Sequence, residues 1–116
     1  MLSLRPVLVL ALLATPAAAQ ETASGAAIRS AITGNTVTGS MSASGAYTEF
    51  YAADGAIKGK DYSGNWSIDG NKMCFAYGTD PTTCWAVQIS GDQLTWVGDG
   101  GPEGSGTIRA GNPNGY

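Results

Sequence analysis

The stretch that decides the fold is residues 65–96, which read NWSIDGNKMCFAYGTDPTTCWAVQISGDQLTW. Turn-forming residues at 69–70, 78–81 and 91–92 divide it into four short segments rich in strand-forming residues. Because successive side chains of a strand point to opposite faces, each turn predicts which residues share a face. The 69–70 turn pairs Trp66 with Met73. Together the three turns place the large apolar residues on one face: Trp66, Ile68, Met73, Phe75, Tyr77, Trp85, Val87, Ile89, Leu94 and Trp96.

The chain has two cysteines, Cys74 and Cys84, and both fall on the opposite face. Nine residues separate them, with the 78–81 turn between them. We predict a disulfide that bridges one hairpin from outside the core. The spacing does not match the Cys-x-x-Cys pattern of redox-active pairs.

Upstream of residue 65 the strand pattern continues with less regularity. A two-residue turn at Asp54-Gly55 pairs Ala52 with Ile57 and points Phe50 inward. The same register predicts an exposed ion pair between Glu49 and Lys60, and a bulge at 63–64. Three tyrosines are then expected outside the core: Tyr47, Tyr51 and Tyr62.

The first 19 residues have the three parts of a secretion signal. Arg5 is the positive region, residues 7–14 are apolar, and small residues precede a cleavage site after Ala19. A periplasmic or secreted protein is therefore expected. Ile28 and Ile32 give residues 20–35 a helical stripe, with a short helix over 24–33.

These patterns predict a mostly β protein after the signal peptide: one short N-terminal helix and an antiparallel up-and-down barrel of about seven strands. The barrel is expected over 36–111, with a last strand over 107–110 and a disordered tail over 112–116. Closure into a barrel is favoured over a flat sandwich, since one apolar face must be covered.

Composition excludes several classes of function. Loss of Arg5 with the signal leaves five basic and nine acidic side chains, which does not suit nucleic-acid binding. The chain has no histidine, so histidine triads and histidine metal ligands are excluded. We expect no catalytic residue, no metal, no cofactor and no membrane insertion after cleavage, and a monomer.

Four inward aromatic residues are the candidate ligand-binding set: Trp66, Phe75, Trp85 and Trp96. They either fill the barrel or line a cavity for a small apolar ligand. The glycine-rich stretch 98–106 is expected to be a mobile loop, with Asp99, Pro102 and Glu103 as candidate partner contacts.

The pattern Asp54-Gly55-x-Ile57-x-Gly59, Gly64-x-Trp66-x-Ile68 and Cys74…Cys84-Trp85 resembles small exported lipocalin-like barrel proteins of alphaproteobacteria. It is more distantly similar to avidin-type and metalloprotease-inhibitor barrels. The resemblance covers roughly 34–111 and implies a barrel, without a residue-by-residue site.

Three functions follow as hypotheses. The first is a non-catalytic binding module for a protein or small apolar ligand. The second is an inhibitor of a secreted hydrolase, of protease or lysozyme type, with residues 20–35 as the inserted segment. The third is a weak enzyme that uses carboxylates around Asp61.

Overall fold

The computed structural model describes residues 21–116, together with Ser3 and Pro6. Apart from those two residues, the predicted signal peptide and its cleavage site lie outside the described residues. The described chain forms one helix and eight strands, in this order: α1 (Gly25–Ile32), β1 (Asn35–Met41), β2 (Gly45–Tyr51), β3 (Ala56–Lys58), β4 (Ser63–Asp69), β5 (Lys72–Ala76), β6 (Thr83–Ser90), β7 (Gln93–Gly98) and β8 (Gly101–Arg109).

Each strand pairs antiparallel with the next, and β8 pairs back onto β1, so the sheet is a closed up-and-down barrel. The predicted fold class is therefore confirmed, with eight strands where about seven were expected. Closure leaves the apolar face of the sheet inside, where it forms the core.

The second half of the barrel largely follows the predicted register. Cys74 lies opposite Cys84, and Val87 lies opposite Trp96, as the turns predict.

The β4–β5 turn is Gly70-Asn71 rather than 69–70, so Trp66 pairs with Phe75 and not with Met73. Only Gly70 of this turn has a positive φ, as a type II′ turn requires. The shift is by two residues, so every side chain keeps its predicted face.

The register of β2 against β3 was predicted wrongly. The loop holds three residues, 53–55, and Tyr51 pairs with Ile57. One extra loop residue reverses the faces of the whole strand. The odd-numbered residues of β2 therefore point inward, and Phe50 points outward. The 63–64 bulge is also wrong, because β3 and β4 pair without interruption across Ile57 and Gly64.

The glycine-rich stretch 98–106 is not a mobile loop. Asp99 and Gly100 form a turn, and β8 begins directly afterwards at Gly101. Trp96 pairs with Gly104, whereas Val97 pairs with Pro102, which leaves Glu103 as an extra residue in a bulge. A proline is tolerated beside a bulge because the ladder is interrupted there.

Helix α1 closes one end of the barrel. The Ser24 side chain caps its start, accepting from the Ala27 amide at 3.2 Å. Ile28 and Ile32 are fully buried in the core, as the helical stripe predicts. The Gly25 amide donates to Asn71 Oδ1 at 2.9 Å, which ties the helix to the β4–β5 turn. This end of the barrel is therefore covered by α1.

The C-terminal segment folds back on itself. Asn112 accepts from the Tyr116 amide at 3.1 Å and donates to the Tyr116 carbonyl at 2.8 Å. Thr36 of β1 donates its hydroxyl to the Gly111 carbonyl at 2.7 Å. This bonded turn differs from the disordered tail expected over 112–116.

Cys74 and Cys84 form the predicted disulfide. Both side chains lie on the outward face, opposite to Met73 and Phe75. Cys74 is nevertheless only 4% exposed, although it lies outside the interior apolar cluster. The bridge therefore joins β5 and β6 from outside the core, as expected.

Candidate functional site

The end of the barrel opposite α1 is open and leads into a cavity of about 440 Å³. The connections after β1, β3, β5 and β7 surround this mouth. Aromatic rings form most of the lining, with one carboxylate among them: Met41, Ser44, Ala46, Tyr47, Glu49, Tyr51, Tyr62, Phe75, Tyr77, Thr83, Trp85 and Trp96. The barrel is thus filled by α1 and the apolar core at one end and contains a cavity lined mainly by aromatic side chains at the other.

Strand β2 supplies the polar side of this wall. Tyr47, Glu49 and Tyr51 alternate along the strand and all face the interior. Tyr51 is 1% exposed and Glu49 is 7% exposed. The predicted exposed ion pair of Glu49 with Lys60 is therefore wrong, as is the outside placement of Tyr47 and Tyr51.

Glu49 is held by Tyr77, which follows β5 and lines the same cavity. The Tyr77 hydroxyl donates to both carboxylate oxygens, at 3.0 and 2.8 Å. Tyr62 and Tyr51 also approach the carboxylate and stabilise its charged form. Hydrogen bonds of this kind are needed, because a buried polar group without partners is costly.

The space for these phenol rings comes from a short strand and two glycines. β3 pairs with β2 only at Phe50 and Tyr51, so the space beside Glu49 is filled by Tyr62 from the β3–β4 connection and by Tyr77, which follows β5. A Cβ on Gly59 would clash with the Tyr62 ring, and one on Gly64 would lie 2.7 Å from both the Tyr77 ring and the Ala76 carbonyl oxygen. Larger residues at either position would displace a ring from the cavity.

The rings contact one another in a continuous chain. Tyr62 meets Tyr77 edge-on at 6.1 Å between centroids, and Tyr77 stacks on Phe75 at 6.5 Å. Phe75 in turn meets Tyr51 at 6.2 Å and Trp96 at 5.2 Å, both edge-on. Such contacts stabilise each ring in a defined position.

Tyr47 fixes the opposite side of the wall. Trp96 donates its indole N–H to the Tyr47 hydroxyl at 2.8 Å, and that hydroxyl donates to the Ser105 carbonyl at 3.0 Å. A Cβ on Gly106 would lie 2.5 Å from this hydroxyl. Gly106 of β8 therefore leaves room for Tyr47 in the cavity wall.

Burial changes the acid–base properties of the site. It raises the pKa of Glu49, and the hydrogen bonds from tyrosine hydroxyls oppose the rise only in part. Burial and the nearby Glu49 raise the pKa of Tyr77 and of Tyr62 well above the usual phenol range. Burial also raises the pKa of Tyr51 and of Tyr47. The four phenols facing Glu49 are thus neutral hydrogen-bond donors across the physiological range.

Of the four aromatic residues predicted to bind a ligand, Phe75, Trp85 and Trp96 line the cavity. Trp66 does not: it packs towards the closed end, where its indole donates to the Ala52 carbonyl at 2.9 Å. None of Asp99, Pro102 and Glu103 is among the lining residues, and neither is Asp61. Among residues 21–116, Glu49 is the one carboxylate of the lining.

Sequence reasoning missed all the tyrosines and the carboxylate of the lining, which are Tyr47, Glu49, Tyr51, Tyr62 and Tyr77. Tyr77 was placed inside but was given no function. The signal in the sequence was the alternation of Tyr47, Glu49 and Tyr51. In the observed register these residues lie on the same face of the sheet as Val37 and Met41 of β1, whose apolar side chains mark the inner face.

Comparisons of the chain with protein-family models, with curated proteins and with solved structures give no match. Within the described part of the chain, no group of three or more potential metal ligands comes together. No helix in that part is long and apolar enough to cross a membrane.

The pKa of Glu49 leads to a testable stability change with pH. Its folded-state pKa lies above the unfolded value near 4.5, so its contribution to stability is complete below that value. The contribution is lost as the pH rises through the folded pKa. Urea unfolding of the wild type and of Glu49→Gln between about pH 4 and pH 8 should show the wild type losing stability relative to the variant. A constant difference between the two proteins would contradict the assignment.

Proposed function

We propose that this protein is an exported, non-catalytic binding module that takes a small molecule into the open end of its barrel. The observation that carries this proposal is the cavity itself. It is lined mainly by aromatic rings and has a volume of about 440 Å³, while α1 packs on the apolar core at the other end of the barrel. Small-molecule sites have volumes of roughly 300–1,000 Å³ and similar linings of aromatic side chains with few polar groups.

Other features support a small ligand and an oxidising compartment. Barrels of eight strands are wide enough to hold one small ligand, as lipocalins do. This agrees with the resemblance to exported lipocalin-like barrels. The Cys74–Cys84 bridge supports export to the periplasm or the medium, where disulfides persist.

The inhibitor hypothesis has less support. It uses residues 20–35 as an extended segment that enters a partner's cleft. In the structure Ala23 donates its amide to the Val87 carbonyl, and Ile28 and Ile32 are buried in the barrel core. Extending this segment would unfold α1 and remove Ile28 and Ile32 from the core of the barrel.

A plugging variant tests the binding function. Thr83 lies exposed at the mouth and lines the cavity, so Thr83→Trp should fill the entrance. The uncharged dye N-phenylnaphthylamine is a suitable probe, because its emission rises in apolar surroundings. We expect the wild type to bind the dye and Thr83→Trp to lose at least about tenfold in affinity, equivalent to about 1.4 kcal/mol.

The matched control is Thr95→Trp, since Thr95 lies on the outward side of β7, opposite Gln88 and Ser105. It adds the same ring outside the barrel and should leave dye binding unchanged. If the wild type does not bind the dye, or if both variants lose binding equally, the cavity is not the binding site.

A further inference from the structure

The cavity combines a buried carboxylate with a ring of aromatic faces, and this combination specifies a class of ligand. Glu49 lies on the inner wall with its oxygens turned towards Tyr77. Among residues 21–116, the lining contains no lysine and no arginine. The site therefore holds one potential negative charge that no basic side chain of the lining balances.

A buried charge without a counter-charge is unfavourable, and binding of a cation would supply the missing partner. The faces of tyrosine and tryptophan also attract cations, and more strongly when water is excluded. Tyr47, Tyr51, Tyr62, Tyr77 and Trp85 all border the same cavity as Glu49. Charge and ring faces thus favour the same ligand.

We propose that the ligand is an organic cation with a substituted ammonium group, held beside Glu49 and bordered by the tyrosine rings. This inference rests on the proposed binding function and names its ligand class. The site favours a quaternary over a primary ammonium because most of the surface around Glu49 is aromatic, and ring faces contact the methyl groups of a cation without offering it hydrogen-bond acceptors. A quaternary group needs no hydrogen-bond acceptor and interacts through its charge and its methyl surface.

A metal ion does not suit this site. Glu49 offers a single carboxylate, and the other polar groups around it are tyrosine hydroxyls that donate to it or to the backbone. Hard cations such as Ca²⁺ take six or more oxygen ligands. The aromatic lining also favours a ligand with apolar surface over a hydrated ion.

The test compares two probes of nearly equal shape. Benzyltrimethylammonium carries the charge, and neopentylbenzene is its uncharged carbon isostere. Each is measured by displacement of N-phenylnaphthylamine from the full chain. We expect the wild type to bind the cation at least about tenfold more tightly than the isostere, and benzylammonium to bind more weakly than the quaternary probe.

Three variants show which side chains cause the preference for the cation over its uncharged isostere. Glu49→Gln keeps the shape of the side chain and should abolish the preference for the cation while the isostere still binds, which also shows that the variant is folded. Tyr62→Leu keeps apolar contact without a π face and should weaken the cation several-fold more than the isostere. Asp80→Asn removes one exposed charge from the loop at the same end and should change neither affinity.

The outcomes separate this inference from the binding function. Dye binding with equal affinity for the two isosteric probes would overturn the cation class and leave the binding function intact. A cation preference that persists in Glu49→Gln would overturn the role of Glu49. Failure of dye and probes alike to bind would overturn both proposals.

Discussion

Replacing Trp66 with alanine should lower the free energy of unfolding by about 3–5 kcal/mol without removing a side chain from the cavity wall. The indole is 6% exposed and meets Tyr51 edge-on at 6.3 Å between centroids. Its N–H donates to the Ala52 carbonyl, and the Arg29 guanidinium of α1 lies 6.0 Å from its ring centroid. The truncation would therefore leave a void between the helix and the barrel, with a carbonyl deprived of its donor.

The loss can be measured by urea unfolding followed by far-ultraviolet circular dichroism. It is large compared with the total stability expected of a domain of this size, about 5–15 kcal/mol. Trp66→Phe keeps most of the ring and should cost less, mainly for the lost hydrogen bond. Trp85→Ala, at a half-buried position by the mouth, should also cost less. Equal losses for Trp66→Ala and Trp85→Ala would contradict the structural role of Trp66.

The second half of the barrel was predictable because its turns are short and the disulfide fixes one pairing. The Gly91-Asp92 turn gave the correct partners for Val87 and Trp96. The predicted register of β4 against β5 was wrong by two residues. Because two is an even number, the pairing partners changed but each side chain kept its face. Face assignment therefore tolerates this error, whereas the exact register does not.

The candidate site was missed because of a single residue in one loop. Asp54-Gly55 is the strongest type of signal for a two-residue turn, but Ala53 also belongs to the loop. The odd shift turned Glu49 and Tyr51 outward in the prediction, although they form the polar wall of the cavity. Burial of a glutamate is uncommon, so composition alone also favoured an exposed position.

Strand β8 was hidden by its composition. Glycine and proline normally interrupt strands, and the stretch 98–106 holds five glycines and one proline. In the structure Gly104 and Gly106 leave room for Met41 and Tyr47, which occupy the volume that side chains of β8 would fill. The large residues that make these glycines necessary lie on other strands, so no local sequence pattern could show that this glycine-rich stretch forms a strand.

Loss of the Cys74–Cys84 bridge should destabilise the protein by about 2.5–3 kcal/mol in the chain-entropy model, and lower its melting temperature by roughly 10–20 °C. The bridge closes a loop with a sequence separation of 10 residues. β5 and β6 pair only across Met73–Phe75 and Thr83–Trp85, so the bridge sits at the centre of a three-residue ladder.

This position links the disulfide to the cavity, because Phe75, Thr83 and Trp85 on the same ladder face the mouth. Thermal unfolding with and without a thiol reductant measures how much the bridge raises the melting temperature. A Cys74→Ala/Cys84→Ala double variant should melt at the temperature of the reduced wild type, and the reductant should not change that temperature. Dye binding by the double variant at room temperature should weaken more than that of Thr95→Trp, since the loosened ladder carries part of the wall. A melting temperature unchanged by reduction would mean that the bridge does not form in the protein.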